Sequence, residues 1–113
     1  MNRVNWKSVV VLGLMLMAAR TGSSAEVQVY ELRIQNHLFM PDVLEIPAGV
    51  QVRLVIYNDD PTPEEFESRE LNREKVVMGN SKVSLLIGPL VAGTYAFFGE
   101  FNPLLAQGSI VVH

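Results

Sequence analysis

The segment Glu64-Glu65-Phe66-Glu67 places three carboxylates around one aromatic ring. If it is extended, Glu64 and Phe66 share one face, and Glu65 and Glu67 share the other. Carboxylates are hard oxygen donors that suit iron or divalent cations better than Cu(I). His37, in Gln35-Asn36-His37-Leu38-Phe39, is the only histidine before the terminal His113. Beside carboxylates its imidazole would make a mixed nitrogen–oxygen site. Glu100 and Asn102 offer two further oxygen donors in Gly99-Glu100-Phe101-Asn102-Pro103. The candidate metal ligands are therefore His37, Glu64, Glu65, Glu67, Glu100 and Asn102. A solvated acidic loop, with acids stabilising a helix N-terminus, accounts for the glutamates equally well. Asn102-Pro103 is also an ordinary turn signal. Arg73, Glu74 and Lys75 are expected to form an ion-pair network near the same end, and His113 to fray.

What is missing narrows the chemistry. The chain has no cysteine, which removes thiolate nucleophiles, thiolate metal sites and disulfides, so the core alone must hold the fold. No phosphate-cradling glycine loop is present, nor a Ser/His/Asp grouping or a pair of histidines at metal-enzyme spacing. The expectation is a protein that is not an enzyme.

The elements that must carry these residues read as short strands. Val27–Ile34 alternates, with Tyr30, Leu32 and Ile34 on one side. Val43–Ile46 is a brief strand, and Pro47-Ala48-Gly49 a turn. Val50–Tyr57 alternates and is β-branched. Asn58–Leu71 reads as a long irregular link, with a helical turn after Pro63. Lys75–Met78, Ser81–Ile87, Tyr95–Phe98 and Gly108–Val112 complete the strands, with a loop over Gly99–Gln107. Tyr30, Tyr57, Phe97 and Phe98 are expected to fill the core or cover its end. About seven short strands with Pro/Gly turns predict an all-β sandwich.

The beginning of the chain has another composition. Arg3 and Lys7 precede the apolar run Ser8–Ala19, and Ser23 and Ala25 are the small residues of a cleavage site after Ala25. That is the layout of a secretory signal peptide, and the run is short for a membrane span of about 20 apolar residues. The expected division is 1–25 signal peptide and 26–113 one domain, located in the periplasm. Residues 26–113 hold six basic and twelve acidic residues, a net charge of −6 with histidines neutral. A nucleic-acid binder shows a basic patch; this chain suits a cation or a basic protein surface.

Three stretches, Phe39-Met-Pro-Asp-Val-Leu-Glu-Ile-Pro-Ala-Gly49, Val52–Asn58, and Tyr95-Ala-Phe-Phe followed by Gly108-Ser-Ile-Val-Val112, together resemble the cupredoxin family. The resemblance implies a cupredoxin-like Greek-key β-sandwich. It also implies copper held by two histidines, a cysteine and an axial methionine. The matching positions here are Glu64, Asn102, Gly99 and Ala106, so type 1 copper is not expected. Glu64 would point to the end where cupredoxins keep their metal, and Phe101–Leu105 would form a docking surface. More closely, Pro63-Glu-Glu-Phe-Glu-Ser-Arg-Glu-Leu-Asn-Arg-Glu-Lys-Val-Val77 followed by Gly88-Pro-Leu-Val-Ala-Gly-Thr-Tyr-Ala-Phe-Phe-Gly-Glu-Phe101 resembles a periplasmic subfamily similar to the N-terminal domain of EfeO-type iron-uptake proteins. That implies an accessory protein of iron uptake. It would bind an iron or copper ion through carboxylates, with an iron permease or periplasmic iron-binding protein as partner. It would bind no nucleic acid and reach the membrane only through that partner. The alternative is a metal-free adaptor docking a permease through its acidic end and the Phe101–Leu105 loop.

Overall fold

The computed structural model describes residues 26–113, and the expected signal segment lies outside them. The strands are β1 (Gln28–Gln35), β2 (Leu38–Met40), β3 (Val43–Ile46), β4 (Val52–Asn58), β5 (Glu64–Ser68), β6 (Arg73–Val77), β7 (Ser81–Ile87), β8 (Gly93–Gly99) and β9 (Gln107–Val112). They form a four-stranded sheet in the order β2-β1-β4-β7 and a five-stranded sheet in the order β3-β9-β8-β5-β6. Both sheets are mixed: β1 runs parallel to β4, and β3 parallel to β9. No helix occurs among the described residues.

Alternation sets the two inner faces. In β4 the buried positions are Val52, Leu54, Ile56 and Asn58. In β1 they are Leu32 and Ile34, with Tyr30 half-buried against them. These pack on Phe66, Phe97, Ile110 and Val112 of the other sheet. Phe39, Phe66 and Phe97 meet at centroid distances of 4.9 to 6.2 Å, within the range where aromatic pairs add stability beyond burial.

The helical turn expected after Pro63 is instead strand β5. Glu64, Phe66 and Ser68 are buried and Glu65 and Glu67 half-buried, a period of two that a helix cannot supply. Once Phe66 enters the core, pairing with β6 on one side and β8 on the other satisfies the backbone. Tyr57 and Phe98 lie on the outer faces rather than in the core. Arg33 stacks 4.3 Å from the Tyr57 centroid, and Arg69 5.1 Å from that of Phe98. His113 is not frayed: its N–H donates to Ile46 O and its carbonyl accepts from Ala48 N.

Candidate functional site

β5 divides its glutamates between two environments. Glu64 points inward at the end capped by the β8–β9 loop and is only 1% exposed. Its Oε1 accepts from the N–H of Glu65 and of Phe101, each at 2.9 Å, and its Oε2 from Asn102 Nδ2 at 2.8 Å. A carboxylate out of water is costly unless hydrogen-bonded; three donors meet that need here. No buried side-chain polar atom among the described residues lacks a partner.

The loop is shaped around this carboxylate. Gly99 N donates to Ala106 O at 2.8 Å, and Asn102 O accepts from both Leu105 N and Ala106 N. A Cβ at Gly99 would lie 2.6 Å from Glu64 Cδ and 2.7 Å from Ala106 Cβ, so glycine is required for space. Glu64, Gly99, Asn102 and Ala106 thus converge on one small volume, filled by the glutamate side chain.

The outer face of the same strand is different. Oxygens of Glu65, Glu67 and Glu74 lie within 4.8 Å of one another. Glu67 and Glu74 are directly opposite across the β5–β6 pair, where like charges destabilise a sheet. Partial desolvation, then the charges of Glu74, Glu67, Glu100 and Glu64, raise the pKa of Glu65 above the ordinary carboxylate value. Glu100 belongs to this neighbourhood through its N–H, which donates to Glu65 O at 2.9 Å. The expected network with Arg73 and Lys75 does not form. Arg73 donates to Leu86 O, and among the described residues no ion pair reaches the acidic group.

His37 occupies a third place. It follows Asn36 in the β1–β2 turn, both at positive φ (54° and 62°). The Asp60 carboxylate accepts from Asn36 N at 2.8 Å and His37 N at 2.9 Å, and His37 Nδ1 lies 3.8 Å from it. The turn therefore does approach the Asn58–Glu67 segment, but through Asp60. The six candidate ligands separate into the inner pair Glu64–Asn102, the outer group with Glu65, Glu67 and Glu100, and His37. Glu74 is the member that single-residue reading assigned elsewhere. Reading Glu65–Glu74 as a hairpin around Arg69–Asn72 would have set it opposite Glu67.

A family model for the cupredoxin-like domain matches residues 8–112. The chain belongs to the cupredoxin-like domain family. A protein of Rickettsia prowazekii (strain Madrid E), itself without an assigned function, is 42% identical over 83 residues. The match covers 74% of this chain and 66% of that relative's length. Among solved structures, auracyanin A, a blue copper protein of Chloroflexus aurantiacus, is similar with a TM-score of 0.67 at 17% identity, over 78% of this chain and 100% of that one. The metal-binding domain of the Cu(I)-exporting P-type ATPase CopA of Streptococcus pneumoniae D39 gives 0.68 at 15%, over 80% and 91%. A purple cupredoxin of Nitrosopumilus maritimus gives 0.58 at 21%, over 74% and 98%. At these identities the likeness is one of fold.

A blue-copper centre needs a thiolate and two imidazoles. The inner volume of this cupredoxin-like domain offers a carboxylate and an amide, with glycine and alanine at the remaining positions, and both polar groups are hydrogen-bonded to each other. The residues do not fit type 1 copper. Among the described residues, the candidate donors that cluster without a hydrogen-bond or ion-pair partner are the carboxylates of Glu65, Glu67 and Glu74 on the outer face.

Proposed function

We propose that this cupredoxin-like protein is an exported accessory of bacterial iron or metal uptake. It holds a hard cation at Glu65, Glu67 and Glu74, with Glu100 beside them, and passes it to a membrane transporter partner. The cation is cargo, and no redox step or catalysis is assigned. The observation that carries the reading is the approach of three carboxylates to within 4.8 Å, with no cationic side chain among the described residues paired to them. Desolvation and then the neighbouring carboxylates raise the Glu65 pKa, and a bound cation would offset the second of these. The acidic balance of residues 26–113, the composition of residues 1–25 and the resemblance to EfeO-type proteins support the iron-uptake setting.

Calorimetric titration with Fe(II), Fe(III), Mn(II) and Cu(II) tests it. Binding should disappear in the Glu67→Gln, Glu74→Gln double variant and persist in Asn102→Ala. A metal at a hundredfold excess over Kd should stabilise the protein by about 2.7 kcal/mol. No heat and no shift in Tm with any of the four metals would refute the reading.

A second reading, a metal-free adaptor docking a permease, is favoured by one feature. Phe101, Leu104 and Leu105 are exposed on the loop, Leu104 at 91%. Capture of a membrane partner that survives chelation and is lost in Leu104→Asp would support it; capture abolished by chelation would not.

A further inference from the structure

The outer face of the four-stranded sheet carries a pattern that the metal reading does not use. Strand register sets its side chains in three rows. Val29, Arg53 and Leu86 form the first, Glu31, Val55 and Ser84 the second, and Arg33, Tyr57 and Lys82 the third. Val29 is 55% exposed and Leu86 38%, and a groove of about 330 Å³ runs past Arg53, Val55 and Tyr57. Arg33 is engaged with Asp59, both carboxylate oxygens lying 3.0 Å from Nη1. Arg53 meets only the Ser84 hydroxyl at 2.8 Å, and Lys82 lies over Tyr57 at 5.6 Å. Neither has a carboxylate within ion-pair distance among the described residues.

On the opposite side of the sandwich, Glu65, Glu67 and Glu74 have no cation within ion-pair distance among the described residues; the neighbouring Arg69 lies over Phe98, and the apolar Val76 sits beside Glu65 across the β5–β6 pair. The two faces thus carry charges of opposite sign that have no ion-pair partner among the described residues, next to exposed Val29 and Val76; Glu31, the acid on the Arg53/Lys82 face, accepts from the Tyr57 hydroxyl at 3.3 Å. Because the two faces lie on different sheets, they cannot neutralise each other within one chain.

We propose that the occupant of the Arg53/Lys82 face is a second copy of this chain, docked through its Glu65/Glu67/Glu74 face. The contact is heterologous, so repetition builds a head-to-tail row or a closed ring rather than a two-fold dimer. Arg53 and Lys82 supply what the acidic face lacks, and Val29 and Leu86 meet Val76. The contact requires no metal, so working in chelator separates its failure from that of the cation reading.

The test uses the chain expressed from its own start, purified as the host processes it, and studied by sedimentation equilibrium in low salt with EDTA. The average mass should rise with concentration and fall to the monomer value in high salt. Arg53→Glu with Lys82→Glu should weaken association about tenfold or more, as should Glu65→Lys with Glu67→Lys. Circular dichroism checks that both variants are folded. The first variant then carries two acidic faces and the second two basic ones, so an equimolar mixture should regain the mass that each has lost. A monomer at every concentration in low salt would overturn the proposal. So would association that survives either reversal, or a mixture that stays monomeric.

Discussion

At the scale of single residues, Glu64 is a buried carboxylate that acts as a structural tie. Its carboxylate ties β5 to the β8–β9 loop through Phe101 N and Asn102 Nδ2. Glu64→Ala should cost about 2–4 kcal/mol in urea unfolding, since it leaves buried donors without acceptors. Asn102→Ala should cost less, about 1–2 kcal/mol, because two donors to the carboxylate remain. Equal losses from the two variants would contradict this account. Glu65 behaves in the opposite way. Its folded-state pKa lies above the ordinary 4.5, so its ionisation opposes folding. That penalty is absent below the unfolded value, grows as pH rises past it, and is complete above the folded value. Glu65→Gln should therefore raise Tm at neutral pH, with the gain vanishing near pH 4 and below. Asp59 has the reverse sign: hydrogen bonds from Gln35 and Arg33 lower its pKa, so its contribution is lost as pH falls through the folded value.

At the scale of elements, most strands were legible from alternation. Ser81–Ile87 and Val43–Ile46 appear with the expected ends, because each combines β-branched residues with a clear turn on either side. β5 was not legible as a strand. Prolines and acids gave it the composition of a loop or helix start, and only the seating of Phe66 between Phe39 and Phe97 makes it extended. The candidate site was legible residue by residue but not as an arrangement. The period of two separated Glu64 from Glu65 and Glu67 in advance, whereas Glu74 enters through hairpin register. The place of His37 depends on backbone conformation, with its φ of 62° and its N–H bonded to Asp60. His37→Gly should leave stability within about 1 kcal/mol of the parent. Relief of the left-handed conformation offsets the added freedom of the unfolded chain. Metal titrations of this variant should match the parent; a weaker affinity would show that the imidazole reaches the cation after all.

At the scale of the whole molecule, residues 26–113 form a sandwich whose net charge of −6 is unevenly spread. Acids crowd the outer side of β5 and β6, and half of the six basic side chains lie on the outer side of the other sheet. The fold class was readable because a core built on period-two strands needs only the correct face to be apolar. Charge segregation was not readable, because it depends on which strands share a sheet. Self-repulsion of this size should be relieved by screening. The urea midpoint of the unsubstituted protein, measured at a concentration where sedimentation finds it monomeric, should therefore rise between low and moderate NaCl. An unchanged midpoint would mean that the acidic crowding is already compensated.

The closeness of Gly99 to its neighbours also bears on whether a sulfur ligand can be introduced at this end of the domain. A cysteine at 99 meets the glutamate on one side and the Ala106 methyl on the other, so the Glu64 carboxylate must leave its present hydrogen bonds, or the loop must shift, to admit it. A cysteine placed at 99 alone should therefore lower the urea midpoint, and shortening Glu64 in the same variant should relieve the overlap on that side. Building a thiolate centre at this end of the domain thus requires the buried carboxylate and the glycine to be changed together, not one after the other.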